Sequence, residues 1–286
     1  MKRTAVVFCL FALSSGTVRA QESESVLKAN FRRVGLDVSN TTVSHASEYR
    51  NSSVSALSAD GQTVVKGVFD FVAEYTHGEA RVNTGIFAEY GKTRLEPYDG
   101  VSETNENADK ILLYSTYAHK LFKIRSADFG PMLNVEYQTE FTRNDDGYRT
   151  RVYRGKAGVT LFDGDIVKDL YIAAVGEYDV TYPEHVSKLA AEAGWHIEYK
   201  PEGEKSLTFS TDGYYRRYLS FSRYVGEDLR YDLNVNARMD ASLNDTMALG
   251  PFLSYRRAHS RHAGVAGSNF TIGLAFTYKD SFDLKP

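Results

Sequence analysis

The chain has 286 residues, a formal net charge of -3, one cysteine and six prolines. A mildly acidic balance argues against a nucleic-acid binder, and so few prolines argue against a linker-rich or disordered chain. The single cysteine, Cys9, falls in the leader described next, so the rest of the chain has no disulfide and no thiolate metal site.

Residues 1–20 read as a secretory signal peptide. Lys2 and Arg3 form a basic start, residues 5–13 an apolar stretch, and Val18, Arg19 and Ala20 a small-residue cleavage site before Gln21. The stretch is too short to span a membrane as a helix. Cys9 follows Phe8 and lies too early for a lipid anchor. The leader removes Lys2, Arg3 and Arg19 and no acid, which leaves about -6 on residues 21–286. Those residues form one domain. No later apolar run approaches the ~20 residues of a spanning helix. A chain that is hydrophilic on average still crosses a membrane if every second residue faces lipid. Twenty Tyr and sixteen Phe against one Trp suit aromatic girdles at two membrane interfaces.

About twelve segments alternate with period two, each long enough for the ~9–11 residues of a tilted membrane strand. They lie near 31–43, 62–75, 80–93, 109–121, 131–143, 148–162, 166–181, 187–200, 205–219, 227–241, 245–257 and 267–280. In the fifth, Leu133, Val135, Tyr137, Thr139 and Phe141 alternate with Asn134, Glu136, Gln138 and Glu140. A helix would scatter these charges over every face, whereas a strand sorts them into two. Tight turns such as 76–79, 163–165 and 201–204 alternate with mostly longer connections such as 45–61, 94–108 and 258–266. One rim of a barrel therefore carries turns and the other loops. The connection near 122–130 is long for a turn and leaves room for a miscounted strand. The predicted fold is all-β: a monomeric transmembrane antiparallel up-and-down barrel of about twelve strands. A soluble β-sandwich or lipocalin-like barrel fits less well, because one face of the strands is too charged for a dry core.

The last segment reads N-F-T-I-G-L-A-F-T-Y over 269–278. Its Thr271, Gly273, Phe276 and Tyr278 resemble the C-terminal β-signal of Gram-negative outer-membrane barrels. The resemblance implies an outer-membrane location, with the barrel assembly machinery and periplasmic chaperones as partners. Residues 279–286 depart from the pattern, which usually ends on the aromatic; Phe282 has the parity of Tyr278 and is an alternative end. A second resemblance covers 107–121, including Asp109, Lys110, Ile111 and Leu112, and then 132–142. It is to uncharacterised outer-membrane barrels of the salt-induced type, and it implies no established activity.

The inward face is the candidate functional surface. Lys66, Asp70, Glu74, Arg81, Glu136, Glu140, Arg154, Lys156, Lys188, Glu192, Arg216, Arg230, Asp232, Arg238 and Asp240 are predicted to line the lumen. These charges either line a narrow pore for a small polar solute or pair across the lumen and plug it. The first reading is a porin-like channel with a mixed-charge lumen. The second is a non-conducting barrel with a structural or lipopolysaccharide-binding role. A third is a lipid hydrolase, because His45 and Ser47 resemble the H-x-S pairing of outer-membrane phospholipases and lipid A deacylases. Glu48 stands where those families place Asn, and strand parity turns His45 and Ser47 toward the lumen, so an enzyme is not expected. The run His259, Ser260, Arg261, His262, beside Arg256 and Arg257, reads as a basic outer loop suited to lipopolysaccharide phosphate. The acids Glu96, Asp99, Glu103, Glu106 and Asp109 lack the spacing of a Ca²⁺ loop. No cofactor and no metal are expected.

Overall fold

The computed structural model describes residues 25–49, 55–57, 63–95, 103–143, 147–204, 206–223 and 228–284. The leader at 1–20 and the acids Glu96 and Asp99 lie outside these residues.

Thirteen strands run in chain order: β1 (Ser25–Ser44), β2 (Thr63–His77), β3 (Ala80–Leu95), β4 (Glu103–His119), β5 (Phe122–Ile124), β6 (Ala127–Thr139), β7 (Val152–Phe162), β8 (Val167–Asp179), β9 (Val186–Tyr199), β10 (Leu207–Phe221), β11 (Leu229–Ser242), β12 (Met247–Ser260) and β13 (Gly267–Leu284). Every pairing is antiparallel, and β1 pairs with both β2 and β13. β4 pairs with β6, which closes the sheet on itself. β5 is a three-residue rung that extends the β4–β6 connection at one rim. Twelve strands therefore make the wall, and the long connection near 122–130 holds no further spanning strand.

Closure leaves no unpaired edge, which is what a sheet in hydrocarbon requires. The period-two pattern then assigns the two faces. Leu133, Val135, Ile172, Ile272 and Leu274 point outward, with Ile172 as much as 67% exposed. Such apolar exposure is costly in water and favourable against lipid. Aromatic pairs edge this band at both rims. Phe122 and Phe129 (ring centroids 4.9 Å apart) stand at the short-turn rim, and Tyr137 and Tyr153 (4.9 Å) near the long-loop rim. No described helix is long and apolar enough to cross a membrane; the strands do the crossing. The protein is an outer-membrane β-barrel, with its short turns on the periplasmic rim and its longer loops outside.

β13 runs past Tyr278 to Leu284, pairing with β1 down to Leu27. Phe282 packs edge-on against Phe31, at 6.2 Å, on the outer face. The tail that departs from the β-signal pattern is thus the continuation of the last strand. Gly273 is needed where it stands: a Cβ there would lie 2.4 Å from the Val38 carbonyl oxygen of the neighbouring strand.

Candidate functional site

The inner faces of the twelve strands enclose a cavity of about 2600 Å³. Asp163 and Asp245, in periplasmic turns, border it at one end; Tyr182, Glu184 and Arg223 border it at the other. Among the described residues, fifteen Lys or Arg and eighteen Asp or Glu line it. The lining therefore carries a small negative excess.

Strand register places opposite charges side by side. Glu136 on β6 lies opposite Arg154 on β7, Arg154 opposite Glu177 on β8, and Glu177 opposite Lys188 on β9. One cross-strand row thus alternates in sign over four strands. Arg154 Nε meets Glu177 at 2.6 Å, and Lys188 meets Glu177 and Asp228 at 3.2 Å each. A second row joins Glu192 on β9, Arg216 on β10 and Asp232 on β11. Lys156 links the two rows, at 2.6 Å from Glu136 and 2.8 Å from Glu192. Tyr171 donates to Glu192 and Tyr214 to Asp232, each at 2.7 Å. Arg256 on β12 completes the second row at 2.8 Å from Asp232. Across β1, β2 and β3, Lys66 bridges Asp37 and Glu89. These pairs join strands one or two apart, so they run along the wall rather than across the lumen. At the periplasmic rim Arg81 on β3 reaches the turn residue Asp163, farther round the barrel.

The outer mouth is narrowed by the β1–β2 connection. It turns inward at His45 (φ 63°) and forms two short 3-10 turns, Ala46–Tyr49 and Ser55–Leu57. Tyr49 is 1% exposed and Leu57 0%. With Val175, Ala190, Tyr218, Leu229 and Ala258 they form an apolar cluster inside a barrel whose lining is mostly polar. The Tyr49 hydroxyl donates to the Val265 carbonyl at 2.8 Å and lies 3.2 Å from that of Ala258. Asn269 Nδ2 donates to the Ala56 carbonyl at 2.6 Å. Gly267 leaves the room for this, because a Cβ there would lie 2.8 Å from the Tyr49 ring.

Of the charged residues singled out in the sequence, Lys66, Asp70, Glu74, Arg81, Glu136, Glu140, Arg154, Lys156, Lys188, Arg216, Asp232 and Arg238 border the cavity. Glu192 does not border it, because its side chain is buried in the wall among Lys156, Arg216 and Tyr171. Asp240 is buried at the periplasmic end, held by Arg238 and by Lys279 at 2.8 Å. Arg230 departs from the expectation. A β-bulge between Leu229 and Tyr231 breaks the alternation. Leu229 turns inward into the apolar cluster, while Arg230 is exposed and does not border the cavity. His45 and Ser47 also differ from the extended segment expected, because the strand ends at Ser44 and strand parity no longer applies. Both are exposed, and no hydrogen bond joins them among the described contacts. His259 and Ser260 belong to β12 rather than to a loop, with Arg256 turned in and Arg257 out. Asp109 accepts hydrogen bonds from the amides of Phe141 (2.6 Å) and Thr142 (2.9 Å), which ties β4 to the next outer loop. In the last strand Thr271 faces the lumen, bonded to Thr41 at 2.9 Å, while Phe276 faces out and the Tyr278 hydroxyl donates to Asp280 at 2.7 Å. Tyr49, Leu57 and Lys110 were not foreseen as site residues. The inward fold of a loop carries no periodic signal.

Outside the spanning segments, burial pushes the carboxyl of Glu140 above its ordinary range, against the Thr150 amide that donates to it at 2.6 Å. Burial likewise raises Asp163, against the pull of Arg81.

No family model and no curated protein matches the chain. Solved structures do resemble it. Outer membrane phospholipase A from Escherichia coli is 9% identical with a TM-score of 0.46, over 85% of this chain and 89% of that one. An outer membrane channel from Pseudomonas putida F1 is 8% identical with a TM-score of 0.42, over 94% and 100%. The translocator domain of autotransporter NalP from Neisseria meningitidis is 11% identical with a TM-score of 0.38, over 90% of each. Likeness at this level carries no argument about activity.

Proposed function

We propose that this outer-membrane barrel is a narrow, water-filled channel for small polar solutes, with a mixed-charge lumen and a weak preference for cations. The observation that carries the reading is the direction of the ion pairs. A plug needs side chains that meet across the lumen, whereas these rows lie along the wall and leave a cavity bordered from rim to rim. Spread over a membrane span of ~30 Å, about 2600 Å³ corresponds to a mean width on the order of 10 Å. That admits hydrated ions, amino acids and small sugars. The excess of acids over bases along the lining supports the cation preference. Fixed wall charges, many of them paired with a neighbour, make a polar surface without a deep binding site, which suits passage over retention.

Liposome swelling tests this directly. Vesicles holding the folded barrel should swell in solutions of small neutral solutes and cease to swell as solute size rises beyond a disaccharide. Swelling no faster than protein-free vesicles for every solute would refute the channel and favour the non-conducting barrel.

A further inference from the structure

Among the described strand residues, the outer face is almost free of charge, with one exception. Arg217 on β10 and Arg257 on β12 lie on the outward side of their strands, next to inward Arg216 and Arg256, and both are exposed. Arg230, displaced by the bulge on β11, is exposed between them. Register brings the three together: Arg217 lies opposite Tyr231, Tyr231 opposite His259, and Arg257 opposite Leu233 on the same strand as Tyr231. Arg257 is in electrostatic contact with the hydroxyls of Tyr231 and Tyr255. All three arginines stand close to the outer ends of their strands. Tyr215 and Leu219 (57% exposed) share this outward surface. No described acidic side chain points outward among them.

An arginine facing mid-membrane hydrocarbon is strongly disfavoured, but near the headgroups it is tolerated. Three cations with no acid form a site for an anion, and guanidinium forks suit phosphate in particular. The neighbouring Leu219 and Tyr215 face acyl chains, so the anion belongs to a lipid. We infer that Arg217, Arg230 and Arg257 form a docking site for the phosphate of a phosphorylated glycolipid in the outer leaflet, namely the lipid A part of lipopolysaccharide. The inference does not depend on whether the lumen conducts. It also relocates the basic contact expected of residues 259–262 from a loop to the side of the barrel.

Native mass spectrometry of the detergent-solubilised, folded barrel tests it. The probes are bisphosphorylated lipid A, the same lipid dephosphorylated, and inorganic phosphate. The wild type should retain the phosphorylated lipid, and the Arg217→Gln/Arg257→Gln variant should bind it about tenfold more weakly or worse. Dephosphorylated lipid should bind the wild type as poorly as the variant binds the phosphorylated form. An Arg149→Gln/Arg151→Gln variant, altered in a separate outer loop, should bind as the wild type does. If the glutamine pair fails to show the heat-shifted mobility of a folded barrel, Arg217→Lys/Arg257→Lys takes its place, with weakened but still phosphate-dependent binding expected. Equal binding by wild type and the folded site variant, or indifference to the lipid phosphates, would overturn the proposal. So would equal loss in the Arg149/Arg151 variant, which would mean a general charge effect. Binding of inorganic phosphate in preference to the lipid would also overturn it, leaving only a free-anion site.

Discussion

Tyr49 is the side chain on which the shape of the outer mouth turns. Its hydroxyl bonds tie the β1–β2 connection to β12 and to the loop beyond it. Tyr49→Phe removes those bonds at a cost of about 1 kcal/mol and leaves the Val265 acceptor without this donor. Gly267→Ala places a methyl against the same ring. Both variants should loosen the inward fold and raise single-channel conductance; unchanged conductance in both would mean that this contact does not set the narrow point. Glu192 is the other sensitive position. Its side chain is 0% exposed and it meets Lys156 at 2.8 Å, Arg216, and the Tyr171 hydroxyl. Glu192→Gln leaves two buried cations short of a counter-charge, a loss of roughly 3 kcal/mol or more. The urea midpoint of the folded barrel in vesicles should fall accordingly, and an unchanged midpoint would show that lumen water replaces the lost charge. Glu140, at the outer mouth, gives a pH signature. Its raised carboxyl gains its proton as pH falls before an ordinary carboxylate would, and that removes a negative charge. Cation preference should therefore begin to decline above the usual carboxylate range of about 4.3, and Glu140→Gln should remove that early part of the decline.

Strand alternation decides which charges the lumen contains, and the bulge at Arg230 separates two outcomes. Lys110 borders the cavity, 5.5 Å from the Phe87 ring. Lys110→Glu should increase cation selectivity, as should Arg238→Glu. Arg230→Glu, outside the cavity, should leave selectivity unchanged; a shift as large as that of Lys110→Glu would mean that Arg230 faces the lumen after all. The same features explain what could be read from the residues alone. All twelve wall strands follow from period two, because each face meets a different solvent and polarity must alternate. Twelve of fifteen predicted lumen residues border the cavity for the same reason. Arg230 could not be read this way, since an inserted residue shifts the phase without a compositional mark. The alternating row of Glu136, Arg154, Glu177 and Lys188 depends on the register between strands, which turn geometry and bulges set and which no single strand reveals. Tyr49 and Leu57 were illegible for another reason: their burial comes from a non-periodic loop meeting the inner wall.

As a whole, the barrel joins two solvents through one sheet. Among the described residues its outer surface is apolar with aromatic rims and one basic patch, and its inner surface is charged and nearly balanced. The closed hydrogen-bonded wall gives rigidity, so the inward β1–β2 connection and the charges at its mouth are the elements through which the proposed channel would be tuned. Passage through the cavity is what separates a channel from a structural barrel. Single-channel recording of the folded, heat-modifiable protein in a planar bilayer tests it most directly. Stable conductance steps, modestly cation-selective and larger in Tyr49→Phe, are the predicted result. Silence across salt concentration and voltage, in the wild type and in Tyr49→Phe alike, would contradict it and leave a structural barrel.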